Sequence, residues 1–273
     1  MRAPEPVPRW TAAVRDRLRE AGERRGGPFV LEGRKAVLDA LSREGVAIRE
    51  VWTSDELAAE VAAEIEAAAA VRRVPVGRAP AHDVARVSGT VTPQGVLALA
   101  DDLGRAADEI LARASAPVLL LDRVQDPGNV GAILRVAAAF RCGGVLVGSG
   151  TADPLGAKAL RASAGTAIVV PFARGTPRGL LDTAARAGFS CWLLDGVGEP
   201  LWDVTSRPAR LLLAVGSEGA GAGEDVSRAA TRRLAIPIAP AAESLNAGVA
   251  AGIAVAHVAR LPVAGDARPA RSR

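Results

Sequence analysis

The sequence is poor in the side chains that build metal sites and nucleophilic triads. It has two cysteines, Cys142 and Cys191, and two histidines, His82 and His257. Neither cysteine has a Cys or His close by in sequence, and each sits in an apolar stretch. That argues against a disulfide framework or a structural zinc site and fits a reducing cytoplasm. A His-based metal centre or a Ser-His-Asp triad has little to draw on, so no metal is expected. Lysine is nearly absent too, with only Lys35 and Lys158. No run of about 18 apolar residues occurs, so no membrane span is expected. The opening MRAPEPVPRW lacks the apolar segment of a signal peptide.

What is present is a globular composition: 273 residues, 49% hydrophobic and 23% charged. This excludes a wholly disordered chain and predicts one large or two modest domains. The formal charge of +4 is unevenly placed. Residues 1–25 carry seven Arg against four acids and residues 261–273 three Arg against one Asp, which leaves the body close to neutral. Net charge alone therefore does not make this a nucleic-acid binder. The abundance of Ala, Arg and Gly suits a genome of high GC content, so the preference for Arg is weak evidence for phosphate recognition.

Along the chain, residues 1–25 read as a flexible arm with a short helix. PFVLEG, VAIREVWTS, RRVPVG and QGVLALA read as strands. GRKAVLDALSREG and SDELAAEVAAEIEAAAA read as helices, the second capped by Ser54 or Asp55. Together they predict a small α/β domain over 26–100. The polar stretch 101–116 reads as a linker. From Pro117 the apolar runs VLLLD, VLVG, AIVVP, SCWLL, LLLAV and LAIPI alternate with the helical stretches GNVGAILRVAAAF, PLGAKALRASAG, RGLLDTAARAG and SLNAGVAAGIAVAHVAR. Unbroken apolar strands separated by helices predict a parallel sheet covered on both faces, over 117–262, with a disordered tail from 263. In such sheets ligands sit beyond the carboxyl ends of the strands. Trp52, Trp192 and Trp202 are expected in the core, and His257 as a partner of the last helix's C-terminal end.

Three segments follow strands of this second domain. In the first, Asn129-Val130-Gly131-Ala132-Ile133-Leu134-Arg135 opens a helix, with Asn129 a candidate cap and Arg135 a candidate anion or hydroxyl ligand. In the second, Gly216-Ser217-Glu218-Gly219-Ala220-Gly221 is a glycine-rich loop that matches neither a P-loop nor the dinucleotide fingerprint. In the third, Ile236-Pro237-Ile238 precedes Ser244-Leu245-Asn246, where Ser244 or Asn246 caps an Ala/Gly-rich helix.

In this order and spacing the three segments resemble the motifs of the SpoU (TrmH) RNA 2′-O-methyltransferases of the SPOUT superfamily. The opening Phe29-Val30-Leu31-Glu32-Gly33-Arg34 and closing Gln94-Gly95-Val96 resemble the ribosomal-protein-like substrate-binding domain of the family's rRNA members. The resemblance implies an α/β methyltransferase domain with a C-terminal trefoil knot, a feature that ordinary connection rules would exclude. It implies S-adenosylmethionine as cofactor, bound near Leu213, Gly216, Ser217, Ile236, Ile238 and Leu245. Arg135, Asn129, Glu218, Ser244 and Asn246 are the implied catalytic group, and Arg34, Arg135, Lys158 and Arg161 the implied RNA contacts. It further implies a cytoplasmic homodimer joined through the knotted domain, with the Ala/Gly-rich last helix in the interface. The expected reaction is methyl transfer to a ribose 2′-hydroxyl, most plainly of 23S rRNA. A tRNA substrate, or a non-catalytic RNA-binding protein of the same fold, are the alternatives.

Overall fold

The structure, a computed structural model, describes residues 9–23, 25–88, 90 and 92–264. The first eight residues of the expected arm and the expected tail from 265 lie outside the described residues. The chain falls into two compact units. One holds the described residues up to Leu103 together with Leu155–Ile168; the other holds Gly104–Pro154 and the described residues from Val169 on.

The first unit is built on a four-stranded sheet in the order β1-β4-β2-β3. Its strands are β1 (Phe29–Glu32), β2 (Ile48–Ser54), β3 (Val76–Ala79) and β4 (Val96–Ala100). β4 runs antiparallel to both neighbours, while β2 and β3 are parallel. Helices α1 (Ala12–Glu23), α2 (Arg34–Leu41), α3 (Ala59–Val71) and α4 (Ala81–Val87) accompany it. Trp52 of β2 is wholly buried and pairs in register with Gly77. A Cβ at position 77 would lie 2.3 Å from the indole, so glycine there makes room for the tryptophan. Trp10 meets Trp52 edge-on, with centroids 5.0 Å apart. Its Nε1–H donates to Asp83 Oδ2 at 2.9 Å, a bond that holds the Asp83 carboxyl below its ordinary range. Leu18 of α1 is also wholly buried. Residues 12–23 are thus a packed helix rather than part of a flexible arm.

Two boundaries in this unit differ from expectation. Ser54 ends β2, its N–H donating to the Gly95 carbonyl at 2.7 Å and its hydroxyl accepting from the Glu56 N–H at 3.1 Å. It therefore closes a strand and a turn instead of capping a helix, and α3 starts five residues later, at Ala59. The third strand begins only after Pro75, which has no N–H to give a ladder.

The second unit carries a six-stranded sheet in the order β10-β8-β9-β5-β6-β7, every pairing parallel. Its strands are β5 (Val118–Leu121), β6 (Gly144–Gly148), β7 (Phe172–Gly175), β8 (Ser190–Pro200), β9 (Leu211–Val215) and β10 (Arg232–Ala235). The central strands β5, β6 and β9 are buried at every residue, as their unbroken apolar sequence predicts. On one face α5 (Ala107–Arg113), α8 (Pro177–Arg186) and α9 (Glu224–Ala229) pack Ile110, Leu111, Leu180 and Val226 against Leu120, Leu146 and Leu212. Alternation along the strands turns the other set, Leu119 and Leu213 among them, to the opposite face. The remaining long helices of this unit, α6 (Pro127–Ala139) and α10 (Ala247–Val258), pack on each other. Helix α7 (Ala157–Ala162) belongs to the first unit.

Here too the physical chemistry moves several boundaries. AIVVP is not a strand: Thr166–Ile168 forms a 3₁₀ turn and β7 begins at Phe172. Pro171 cannot donate to a ladder, although its carbonyl accepts from the Val145 N–H at 2.9 Å. LAIPI likewise ends as a strand before its proline, at Ala235. The stretch read as linker holds α5, whose adjacent Ile110 and Leu111 supply its buried side. Residues 262–264 bracket Arg207, through Arg207 N–H to the Pro262 carbonyl at 3.0 Å and Ala264 N–H to the Arg207 carbonyl at 2.8 Å. Trp202 is 51% exposed, against expectation, and stacks edge-on to His257, whose Nε2 lies 3.1 Å from the Val204 carbonyl. Trp52 and Trp192 are core residues.

Candidate functional site

The site lies in the second unit, beyond the carboxyl ends of β5 and β9. Past β5 the chain turns into α6. Asp126 caps this helix, its Oδ1 accepting from the Gly128 N–H at 2.5 Å, with Pro127 in the first helical position. Asn129, expected as the cap, instead sits in the first turn with its side chain buried. Freed from capping, it faces the loop beyond β9.

That loop closes on itself. Ser217 and Gly221 exchange backbone hydrogen bonds, both 3.0 Å, and the Ser217 hydroxyl donates to the Gly221 carbonyl at 3.1 Å. Gly216 has no room for a side chain, since a Cβ would lie 2.4 Å from the Ala222 nitrogen. The closed turn presents Glu218. One carboxylate oxygen, Oε1, accepts three N–H donors: Asn129 Nδ2 at 2.7 Å, Asn246 Nδ2 at 2.9 Å and the Ala247 backbone N–H at 3.0 Å. Asn246 Nδ2 also donates to Asn129 Oδ1 at 2.7 Å.

Asn246 is the cap of α10, its Oδ1 accepting from the Gly248 and Val249 N–H groups at 3.0 and 3.2 Å. With Ala247 bonded to Glu218, the first three amides of this helix are all satisfied. The helix is small-sided because α6 lies close. A Cβ on Gly248 would be 3.1 Å from the Ala132 Cβ, and one on Gly252 3.5 Å from Val136 Cγ2. Packing inside one chain therefore accounts for the two glycines of the stripe expected at a dimer interface.

Arg135 is exposed on α6 and makes no hydrogen bond or ion pair among the described residues. Ser244 is exposed, and its hydroxyl has no partner among the described residues. Ile236 and Leu245 are half-buried and Ile238 is 39% exposed, on a segment where, among the described residues, Ala242 N–H to the Ala239 carbonyl is the one internal backbone bond between 236 and 245. Leu213 is buried within β9. The structure thus brings Asn129, Glu218 and Asn246 into one network, on the same side of the sheet as Gly216 and Ser217. Arg34, Lys158 and Arg161 belong to the first unit and are all exposed. Arg34 is paired there with Glu64 at 2.6 Å, which raises its pKa further. Arg161 lines a cavity of about 250 Å³ in that unit, with aliphatic walls such as Leu31, Leu97 and Leu160 and polar lining from Glu32, Lys35 and Gln94.

Asp122 and Arg123, which follow β5, also reach the glycine-rich loop and were missed from sequence. The available signal was a charged pair between an apolar strand and a Pro-Gly turn. The two cysteines take no part. Burial pushes the Cys142 thiol up to about 11 and the Cys191 thiol up to about 12.

Comparison with known proteins agrees with this arrangement. The model of the SpoU rRNA Methylase family matches residues 116–256, and that of RNA 2′-O ribose methyltransferase substrate binding matches residues 30–105. An uncharacterized tRNA/rRNA methyltransferase of Mycolicibacterium paratuberculosis is 36% identical over 236 residues, which cover 84% of this chain and 76% of the relative. The crystal structure of AdoMet-bound rRNA methyltransferase from Sinorhizobium meliloti superposes with a TM-score of 0.81 at 25% identity, covering 93% of this chain and 97% of that one. The structure of a putative RNA methyltransferase of the TrmH family from Porphyromonas gingivalis gives a TM-score of 0.74 at 27% identity, covering 91% and 97%. With its three motif segments joined through Glu218 and both family models matched in order, the chain belongs to the SpoU rRNA methylase family.

Proposed function

We infer that this RNA methyltransferase transfers the methyl group of S-adenosylmethionine to a ribose 2′-hydroxyl, with ribosomal RNA as its substrate. The observation that carries this reading is the convergence of Asn129 and Asn246, residues from two distant segments, on one carboxylate oxygen of Glu218, from a third, beyond the ends of β5 and β9. The AdoMet-bound Sinorhizobium structure and the substrate-binding match supply the cofactor and the RNA.

The residues fit the cofactor. Gly216 lets the backbone of its loop pass where no side chain fits. The segment 236–245 leaves most of its backbone groups outside any ladder among the described residues, which suits recognition by main-chain atoms. Ile236, Ile238 and Leu245 supply partly exposed apolar surface beside them. Glu218 is a fixed negative charge that favours a cationic ligand over its neutral product. When bound, S-adenosylmethionine supplies an electrophilic methyl group on a sulfonium.

The chain's own work is then binding and orientation. A ribose hydroxyl is a weak nucleophile until its oxygen is positioned and its proton has somewhere to go. Arg135 is a poor base, since its pKa exceeds about 12. It holds the ribose and the adjacent phosphate, and the proton leaves to phosphate or water. Asn129 and Asn246 keep Glu218 in place, and Ser244 contacts the substrate ribose. Arg34, Lys158 and Arg161 bind RNA phosphates, so affinity falls with salt. The trefoil knot and the dimer form part of this proposal. The segment after edge strand β10 returns to α10 on α6, and Val249 is half-exposed beside it. So does a cytoplasmic location; among the described residues no helix is long and apolar enough to cross a membrane.

The test is tritium transfer from labelled S-adenosylmethionine to undermodified 23S rRNA, 16S rRNA and bulk tRNA, each offered separately. Label at a single alkali-resistant site in one rRNA is the expected result. Label in tRNA alone would overturn the rRNA assignment, and label on a base would overturn 2′-O transfer.

A further inference from the structure

Beyond the three motif segments, the carboxyl end of β5 holds a second set of contacts to the glycine-rich loop. Asp122 is 1% exposed, and its Oδ2 accepts the Gly223 N–H at 2.5 Å. The next residue, Arg123, reaches the same loop two residues earlier: its Nη2 donates to the Gly221 carbonyl at 3.3 Å. Both ends of Gly221–Gly223 are thus tied to consecutive side chains about a hundred positions away in sequence (separations of 101 and 98).

Arg123 adopts φ 58°, a left-handed conformation that costs a residue with a Cβ on the order of 1 kcal/mol or more. The surroundings enforce it. Thr151, buried after β6, donates its hydroxyl to the Leu121 carbonyl at 3.0 Å and accepts the Val124 N–H at 3.3 Å, bracketing the Asp122–Arg123 turn. Ala152 N–H closes the bracket on the Val124 carbonyl at 2.9 Å. Gly150 leaves room for the arginine, since a Cβ there would lie 3.1 Å from Arg123 Cγ. Strands β9, β5 and β6 are neighbours in the sheet, so these contacts link the loops at three adjacent carboxyl ends.

We propose that Asp122 and Arg123 are positioning residues that hold the Gly216–Gly223 loop in its cofactor-binding shape before the cofactor arrives. A strained turn kept by its neighbours is explained by what its side chains hold, and these side chains hold the loop that the methyl-transfer reading assigns to S-adenosylmethionine. The proposal rests on that reading. Loop ordering is then complete before binding, and the cofactor does not meet that cost. The clamp acts on cofactor affinity. Among the described residues neither side chain hydrogen-bonds Asn129, Glu218 or Asn246, and Glu218 keeps its own three donors, so the chemical step at saturating cofactor is left alone.

The test measures S-adenosylhomocysteine binding by calorimetry and steady-state transfer on the full chain. Arg123→Gly is the informative variant, because glycine accepts the left-handed φ, so the side chain and its bond to Gly221 are lost without straining the turn. The expected result is about a tenfold weaker Kd for S-adenosylhomocysteine and a matching rise in KM for S-adenosylmethionine. The kcat and the KM for RNA should be unchanged. Asp122→Asn, which keeps an acceptor for the Gly223 N–H, should lose less than Asp122→Ala. Unaltered affinity in Arg123→Gly and Asp122→Ala overturns the clamp, as does a loss of apparent kcat with both KM values unmoved, the mark of a smaller folded fraction. Failure of the unaltered chain to bind S-adenosylhomocysteine overturns the cofactor reading itself, and is seen before any variant is made.

Discussion

The exposed ion pairs of the first unit and the candidate site of the second handle charge in different ways. On the surface of the first unit, cations and anions meet in pairs such as Arg34 with Glu64, Arg17 with Glu50, Arg49 with Asp101 and Lys35 with Asp39, most of them largely exposed. In the second unit, the candidate site gathers three N–H donors from two helices on one carboxylate oxygen of a closed loop. Exposed pairs hold little stability, because water and salt compete with each partner. A convergent network fixes relative positions, since no donor can move without unseating the others. The first arrangement suits a surface that exchanges its partners for phosphates. The second suits a site that must keep its shape.

Arg135 sharpens this contrast most, because it is the one implied catalytic residue in the second unit that carries a free positive charge outside the network. Arg135→Ala should lower transfer by about a thousandfold, the upper range for losing a group that acts on the transition state. Binding of S-adenosylhomocysteine should be spared, and stability should stay within about 0.5 kcal/mol, as for an exposed substitution. Single-turnover methylation alongside calorimetry reads both. Normal turnover would remove Arg135 from the mechanism.

Glu218 tests the network itself. Glu218→Ala leaves Asn129, Asn246 and the first amide of α10 without their common acceptor. Transfer should fall by about a hundredfold, with a stability loss of about 1 kcal/mol, the size of a lost helix cap. Glu218→Gln keeps an acceptor oxygen and should retain the stability while losing part of the activity. Equal behaviour of the two variants in both measurements would show that the charge, not the convergence, is what matters.

Much of this arrangement was legible in sequence, though unevenly. The strands β5, β6 and β9 stand out as apolar runs because a parallel sheet buries both faces. AIVVP has the same composition and is no strand, because Pro171 breaks the ladder that the pattern implies. Asn129 reads from the sequence both as a candidate cap and, by the resemblance, as one of the catalytic group. Asp126, three residues earlier, takes the cap and releases Asn129 inward. The order of Asn129, Glu218 and Asn246 along the chain pointed to one site, since a resemblance in three segments is hard to meet by chance. The role of Asp122 and Arg123 was not legible, because it exists only where β5 and the loop after β9 meet. Nothing local marks an arginine as left-handed.

The smallest effect is expected from the pairs of the first unit, and it tests the other half of the contrast. Arg34 and Glu64 are both about half-exposed, and Glu64 is what raises the arginine's pKa. If the pair were structural, Arg34→Ala would lower the melting temperature and leave RNA binding as it was. If Glu64 only holds the guanidinium in readiness for phosphate, the melting temperature stays put and RNA binding weakens modestly. The slope of log affinity against log salt should then fall by about one, the signature of one lost phosphate contact. Glu64→Ala gives the complementary result. Removing the competing carboxylate leaves Arg34 charged and unpaired, so RNA affinity at low salt should rise slightly where Arg34→Ala lowers it. Opposite signs for the two variants in an RNA titration at two salt concentrations mark an exchangeable pair. The same sign in both marks a pair whose task is to hold α2 against α3.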